Sequence, residues 1–208
     1  MSRGLGDVYK RQLNNNGHNV TVWSVLKDEV AMLQTEREHK RCLPGVKIPD
    51  SITVSGDTEN VIGSADVLVL AVASPYTRST AKMIAPFVKE GQIIVNVAKG
   101  VEEHTLLTLC QIVEEEIPCA KVAVLSGPSH AEEVSRGIPT TCVIGAHEKA
   151  TAEYLQNIFM SDVFRVYTSP DMLVICIGGA LKNVIALAAG IAAVSYTHLR
   201  AHETLANL

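Results

Sequence analysis

The sequence predicts an α/β protein built on a doubly wound, mostly parallel sheet, and three observations carry that prediction. Short aliphatic runs alternate with longer amphipathic ones through the middle of the chain, the pattern of strands joined by crossover helices. The clearest run, VLVLAV at residues 67–72, is continuous rather than alternating, as expected of a strand with helices on both faces. Hydrophobic residues make up 47% of the 208 and charged residues 19%, so the chain should close a core of Val, Ile, Leu and Ala.

Each element follows from local signals. Asn16-Gly17 stops a helix ahead of a strand at 20–23. Residues 28–40 are charged with a sparse apolar stripe and read as a surface helix, which Leu43-Pro44-Gly45 breaks. Pro49 keeps the chain irregular until an extended piece at 52–54. The run at 67–72 is expected near the sheet centre. A helix at 79–89, a strand at 92–97, a helix at 105–116 and a strand at 122–125 follow, then a strand at 141–144, a helix at 148–159 and a strand at 163–167. Pro170 and Asp171 open a long apolar helix at 172–194.

Composition excludes several classes. The net charge of -4 with no basic block is not the footprint of a nucleic-acid binder. Cys42, Cys110, Cys119, Cys142 and Cys176 form no C-x-x-C pair and read as reduced, buried thiols, which points to the cytoplasm. The histidines lack ligand spacing, so no metal site is expected. Residues 172–194 are long enough to span a bilayer. Lys182 at their middle would cost about 2.5–3.5 kcal/mol there. A buried helix of a larger soluble domain is therefore expected, and no membrane span.

The ends do not fit this architecture. Gly4 and Gly6 sit among Arg3, Asp7, Lys10 and Arg11 with no apolar strand before them, so they make no dinucleotide loop. Residues 1–12 read as a non-native-looking leader without the apolar core of a signal peptide, and 195–208 as a non-native-looking tail. Between them, residues 13–168 read as one strand–helix domain and 169–194 as the start of a further, helical part.

A doubly wound sheet places ligands beyond the carboxyl ends of its strands, so the loops after the apolar runs carry the candidates. Ser24-Val25-Leu26-Lys27 lacks the acidic residue that selects NAD ribose hydroxyls, and Lys27 suits either a 2'-phosphate or a plain helix start. Ala73-Ser74-Pro75-Tyr76-Thr77 reads as a nicotinamide platform or an ordinary turn. Lys99 places a cation at a strand's carboxyl end beside Gly100. Ser126-Gly127-Pro128-Ser129-His130-Ala131 offers amides and a hydroxyl to an anion, or a simple helix cap. Further on, Gly178 and Gly179 precede Lys182 by four and three residues on one helix face. Two successive helical glycines cost about 1 kcal/mol each against alanine, so a close approach is expected there. The apolar surroundings should desolvate Lys182, lower its pKa and fit it for proton transfer. A buried structural lysine paired with a carboxylate is the alternative.

These pieces, with Asn16-Gly17-His18, Val97-Ala98-Lys99-Gly100, Phe164-Arg165-Val166-Tyr167 and Gly178-Gly179-Ala180-Leu181-Lys182-Asn183, resemble the bacterial NAD(P)-dependent sn-glycerol-3-phosphate dehydrogenases over about residues 13–192. The resemblance implies a Rossmann-like domain followed by a helical substrate domain, and reversible reduction of dihydroxyacetone phosphate to sn-glycerol 3-phosphate with NAD(P)H, for phospholipid synthesis. It implies Lys182 as the proton acceptor in oxidation and Lys99, Gly127, Ser129 and Lys182 as substrate contacts. Lys99, Ala131, Ser24 and Val25 would be the cofactor contacts, and the parent protein a homodimer. It also implies a first strand with a G-x-G-x-x-G-type loop ahead of Leu13 and further helices beyond Ala192, so this chain is expected to be an inactive piece of the parent enzyme. Val174 and Cys176 depart from the family pattern of a Gly and a Glu before the glycine pair. Two other readings remain: another dehydrogenase of hydroxyacid or 6-phosphogluconate type, and a non-catalytic nucleotide-binding module.

Overall fold

The computed structural model describes residues 3–40, 44–129, 134 and 136–206. Seven strands and seven helices are named among them. The strands are β1 (Thr21–Trp23), β2 (Thr53–Ser55), β3 (Val67–Leu70), β4 (Ile93–Asn96), β5 (Lys121–Ser126), β6 (Thr140–Ala146) and β7 (Phe164–Ser169). The helices are α1 (Arg3–Asn15), α2 (Lys27–Glu36), α3 (Thr58–Ser64), α4 (Thr77–Ile84), α5 (Leu109–Glu116), α6 (Lys149–Phe159) and α7 (Met172–Ala206). β1 and β2 pair in parallel as a two-stranded sheet. A five-stranded sheet runs β3-β4-β5-β6-β7, parallel throughout except where β5 meets β6. The architecture is the mostly parallel α/β fold that the alternating pattern predicts.

Alternation along each strand splits the core into two layers. Val95, Ala123, Leu125, Cys142 and Ile144 face α1 and α6, where Tyr9, Leu13, Leu155 and Phe159 close one cluster. Leu68, Leu70, Ile94, Val122 and Val124 face the other way, onto Ala81, Ile84, Cys110 and Val113 of α4 and α5. Burial on both faces explains the unbroken aliphatic run at 67–72. Its expected place at the sheet centre is nevertheless wrong: β3 is an edge strand of the five-stranded sheet. Two-sided burial reports helices above and below a strand and says nothing about its neighbours in the plane.

Other boundaries also move. The surface helix ends at Glu36 rather than residue 40, because Arg37 turns left-handed with φ 51°. The helix expected at 79–89 runs from Thr77 to Ile84 and tightens into a 3-10 turn over Ala85–Phe87. The helix expected from residue 105 begins at Leu109, where Thr108 and Gln111 form a reciprocal capping box and Leu106 is held at φ 59°. Thr108→Ala is expected to cost about 1 kcal/mol, read as a lowered urea midpoint with an unchanged slope.

Two findings concern the ends. Residues 3–12, read from the sequence as a leader, form most of α1. Val8, Tyr9, Gln12 and Leu13 are buried, and the Tyr9 ring meets Phe159 and Phe164 edge to face. The charged residues around Gly4 and Gly6 hid an inward stripe at positions 8, 9, 12 and 13, the spacing of one helix face. At the other end, α7 continues through residues 195–206 rather than stopping at 194.

The long helix is also far less buried than expected. Met172 and Cys176 rest on the sheet, whereas Val184, Ile185 and Leu187 are 61%, 62% and 67% exposed. Met172–Ala193 is long and apolar enough to cross a membrane by composition, with a mean hydropathy of 2.0. Its first turns pack on the sheet, and the turns that carry Val184, Ile185 and Leu187 keep most of their apolar surface exposed.

Candidate active site

Because β3, β4 and β5 run in parallel, their carboxyl ends and following loops lie at one end of the sheet. α7 reaches the same end from the opposite direction. The antiparallel β5–β6 pairing reverses β6, and β7 follows it, so α7 starts at the far end. Near that start Met172 and Ile175 pack against Gly145, which pairs with Val124 in mid-strand. A helix rises 1.5 Å per residue, so Lys182 stands about 15 Å further on, roughly one strand length. Gly179 accordingly meets Ser126, the last residue of β5.

The glycines in this arrangement do different work. A Cβ on Gly179 would stand 2.8 Å from Ser126 Oγ and 3.6 Å from Lys99 Cγ, so its hydrogen lets α7 lie against both. Gly178 faces open space, contrary to a cleft lined by the glycine pair. Gly127 is hemmed in by the backbone of β6. A Cβ there would lie 2.7 Å from the Thr141 carbonyl, 2.8 Å from Cys142 Sγ and 2.9 Å from Cys142 Cα. Gly100 adopts φ 135°, a backbone open to glycine, and rests on Ser74.

Lys99 lies at the centre of these contacts. Asn96 turns the chain after β4 by donating from its amide to the Ala98 carbonyl (3.0 Å) and accepting from the Ala98 N–H (3.2 Å). The Lys99 ammonium then donates to the Gly127 carbonyl at 2.8 Å. Burial holds its pKa below the ordinary lysine value, and the nearby Lys182 charge lowers it further. The desolvated cation expected at 182 is thus found at 99. Lys182 itself is exposed on α7.

The other predicted residues divide. Ser129 is buried, and its hydroxyl accepts from Tyr9 at 3.2 Å instead of facing the open end. The neighbouring Cys142 thiol is pushed up to about 11 by burial. Ala131 lies outside the described residues, as does His130. Ser24 donates to the Glu29 carboxylate and accepts from the Leu26 N–H at 3.2 Å, so its side chain is engaged in the turn into α2. Val25 is 57% exposed just beyond β1. The structure therefore joins Lys99, Gly127, Gly179 and Lys182 in one group, with Ser24 and Val25 beyond the other sheet. Sequence reasoning misses Ser126 and Tyr9 as contacts: one reads as a small loop residue, and the other falls in the segment read as a non-native-looking leader.

Comparisons with known proteins agree with this fold. The sequence model described as the NAD-dependent glycerol-3-phosphate dehydrogenase N-terminus matches residues 6–152, beginning inside α1. A glycerol-3-phosphate dehydrogenase (NAD(P)+) of Agathobacter rectalis is 62% identical over 180 residues, covering 86% of this chain and 54% of that protein. One from Fusobacterium nucleatum is 54% identical over 193 residues, 92% of this chain and 58% of its own length. The chain thus spans just over half the length of these relatives. Among solved structures, a glycerol-3-phosphate dehydrogenase from Coxiella burnetii superposes with a TM-score of 0.83 at 26% identity, covering 90% of this chain and 57% of that one.

Proposed function

The chain belongs to the family of NAD-dependent glycerol-3-phosphate dehydrogenases, and from that premise we propose that the whole protein interconverts dihydroxyacetone phosphate and sn-glycerol 3-phosphate with NAD(P) as its cofactor. The observation that carries this reading is the meeting of Lys99, Gly127, Gly179 and Lys182 at the carboxyl ends of β4 and β5. Two ammonium groups there suit an anionic, oxygen-rich substrate of small size.

A dinucleotide laid across the strand ends would be held by residues that follow β1, β3 and β4. Ser24 and Val25 stand beyond β1, the exposed ring of Tyr76 follows β3, and Gly100 brings backbone close to Ser74. Ala131 belongs to the same cofactor-binding set. The cofactor, when bound, supplies or accepts the hydride. Lys99 and the Gly127 loop hold the substrate, with Ser129 as a further contact once its hydroxyl turns from Tyr9. Lys182 moves the proton at the substrate oxygen: as an amine it accepts the proton of the secondary alcohol, and as ammonium it returns one to the carbonyl oxygen. We further place the whole protein in the cytoplasm as a homodimer serving phospholipid synthesis, with residues 13–168 as its cofactor domain and 169–194 opening its substrate domain.

The test is consumption of NADH or NADPH with dihydroxyacetone phosphate. The whole protein is expected to turn over, and the 208-residue chain alone to show none, because its Lys182 is open to water. Robust turnover by the chain would refute the second half. A whole protein that ignores dihydroxyacetone phosphate but oxidises a hydroxyacid or 6-phosphogluconate would refute the first.

A further inference from the structure

A charge cluster outside these contacts pins the loop that follows Lys99. Arg78, in the first turn of α4, forks across Glu102: Nε donates to one carboxylate oxygen at 2.7 Å and Nη2 to the other at 2.8 Å. The same guanidinium reaches Glu116 at 2.5 Å and Glu115 at 3.1 Å, both at the end of α5. Lys82 stands 3.8 Å from Glu116, and Thr105 donates to Glu102 at 2.5 Å. Arg78 and Glu102 are each 23% exposed, so the fork is shielded on one side. The Arg78 guanidinium holds the Glu102 carboxyl well below the usual carboxylate range, so it stays ionised across the physiological range.

Glu102 also organises its own loop, donating from its N–H to the Leu107 carbonyl at 2.9 Å and accepting from the Leu106 N–H at 3.0 Å. Only Gly100 and Val101 separate it from Lys99. The Lys99 backbone is therefore held from both sides: by the Asn96 turn before it, and after it by Gly100 on Ser74 and Glu102 on Arg78. Ser74 opens the 3-10 turn that leads into α4, so both later anchors belong to one continuous piece of chain.

We propose that Arg78 is a positioning residue for Lys99: by forking across Glu102 it fixes the loop whose first residue presents the Lys99 ammonium to the Gly127 carbonyl. A bidentate guanidinium–carboxylate pair sets direction as well as distance, which a lysine at 78 would not reproduce. The catalytic value of this placement rests on the proposed role of Lys99; the placement itself does not.

The test uses lysine side-chain nitrogen resonance on the 208-residue chain. A hydrogen-bonded Lys99 ammonium gives a signal distinct from the bulk lysines, identified by its loss in Lys99→Arg. Arg78→Met and Arg78→Lys are expected to move that signal into the bulk group, and Glu102→Gln to do so where an Arg78 variant fails to fold. Ile112→Val, a core change on α5, lowers the urea midpoint and is expected to leave the signal in place. An unmoved signal in Arg78→Met, or equal loss in Ile112→Val, overturns the proposal. In the whole protein, Arg78→Lys should lower kcat/KM for dihydroxyacetone phosphate by about 100-fold, the usual consequence of a displaced contact. If the unmodified whole protein fails to use that substrate, the functional reading falls while the resonance result stands on its own.

Discussion

Lys182→Met in the whole protein is expected to lower kcat for dihydroxyacetone phosphate reduction by about 100- to 10,000-fold, the range that a positioned proton donor supplies. The fold should not notice. Lys182 is exposed on a helix, and methionine has nearly the same helix propensity as lysine, so the urea midpoint of the 208-residue chain should stay where it is. A second consequence is electrical. The Lys182 charge helps to hold the Lys99 pKa down, so its removal should let Lys99 rise toward the ordinary lysine value. Steady-state kinetics of the whole protein, with a side-chain titration of Lys99 in the chain, measure both. A variant retaining more than a tenth of the activity would remove Lys182 from the proton path.

Gly127→Ala should do the reverse, harming the fold and the site together. The added methyl would have to stand 2.7 Å from a backbone carbonyl and 2.9 Å from a Cα of β6, atoms that cannot rotate away. Relief requires β5 and β6 to part or the loop to shift, and overpacking of this kind costs about 1–3 kcal/mol. Against a typical total of about 5–15 kcal/mol that is a large fraction, visible as a lower urea midpoint. The Gly127 carbonyl is also the acceptor for Lys99, so the shift should weaken that hydrogen bond at once. Glycine here answers first to the neighbouring strand, and any substrate contact is added to that demand. A midpoint unchanged within 0.5 kcal/mol, a change of about the size of a neutral surface substitution, would show that the strands have slack there.

The legible part of the fold was the part written in local pattern. Aliphatic runs and helix stops located every strand to within a few residues, because burial and turn chemistry are properties of neighbouring positions. Sheet order is not such a property, so β3 was placed at the centre when it lies at an edge. α1 was lost for another reason: its inward stripe of Val8, Tyr9, Gln12 and Leu13 is diluted by charges and two glycines. In the candidate site, Lys99 and Gly127 stood out by residue type at strand ends, and the glycine pair by its rarity inside a helix. What the pattern could not say was which lysine is buried. That depends on what α7 packs against, and its first turns are the ones that rest on the sheet here. The Arg78–Glu102 fork was illegible for the same kind of reason, since its members are 24 residues apart and each looks like an ordinary surface charge.

The reversal at β6 has a practical consequence for engineering. It sends the carboxyl ends of β6 and β7 to the end of the sheet away from Lys99 and Lys182, where His147, Pro170 and Asp171 line a shared groove. Chain inserted or a dye attached at residues 147–148 or 170–171 would sit one sheet length from the reacting groups. That end is a handle by which the protein can be immobilised, labelled or fused while its working end is left clear.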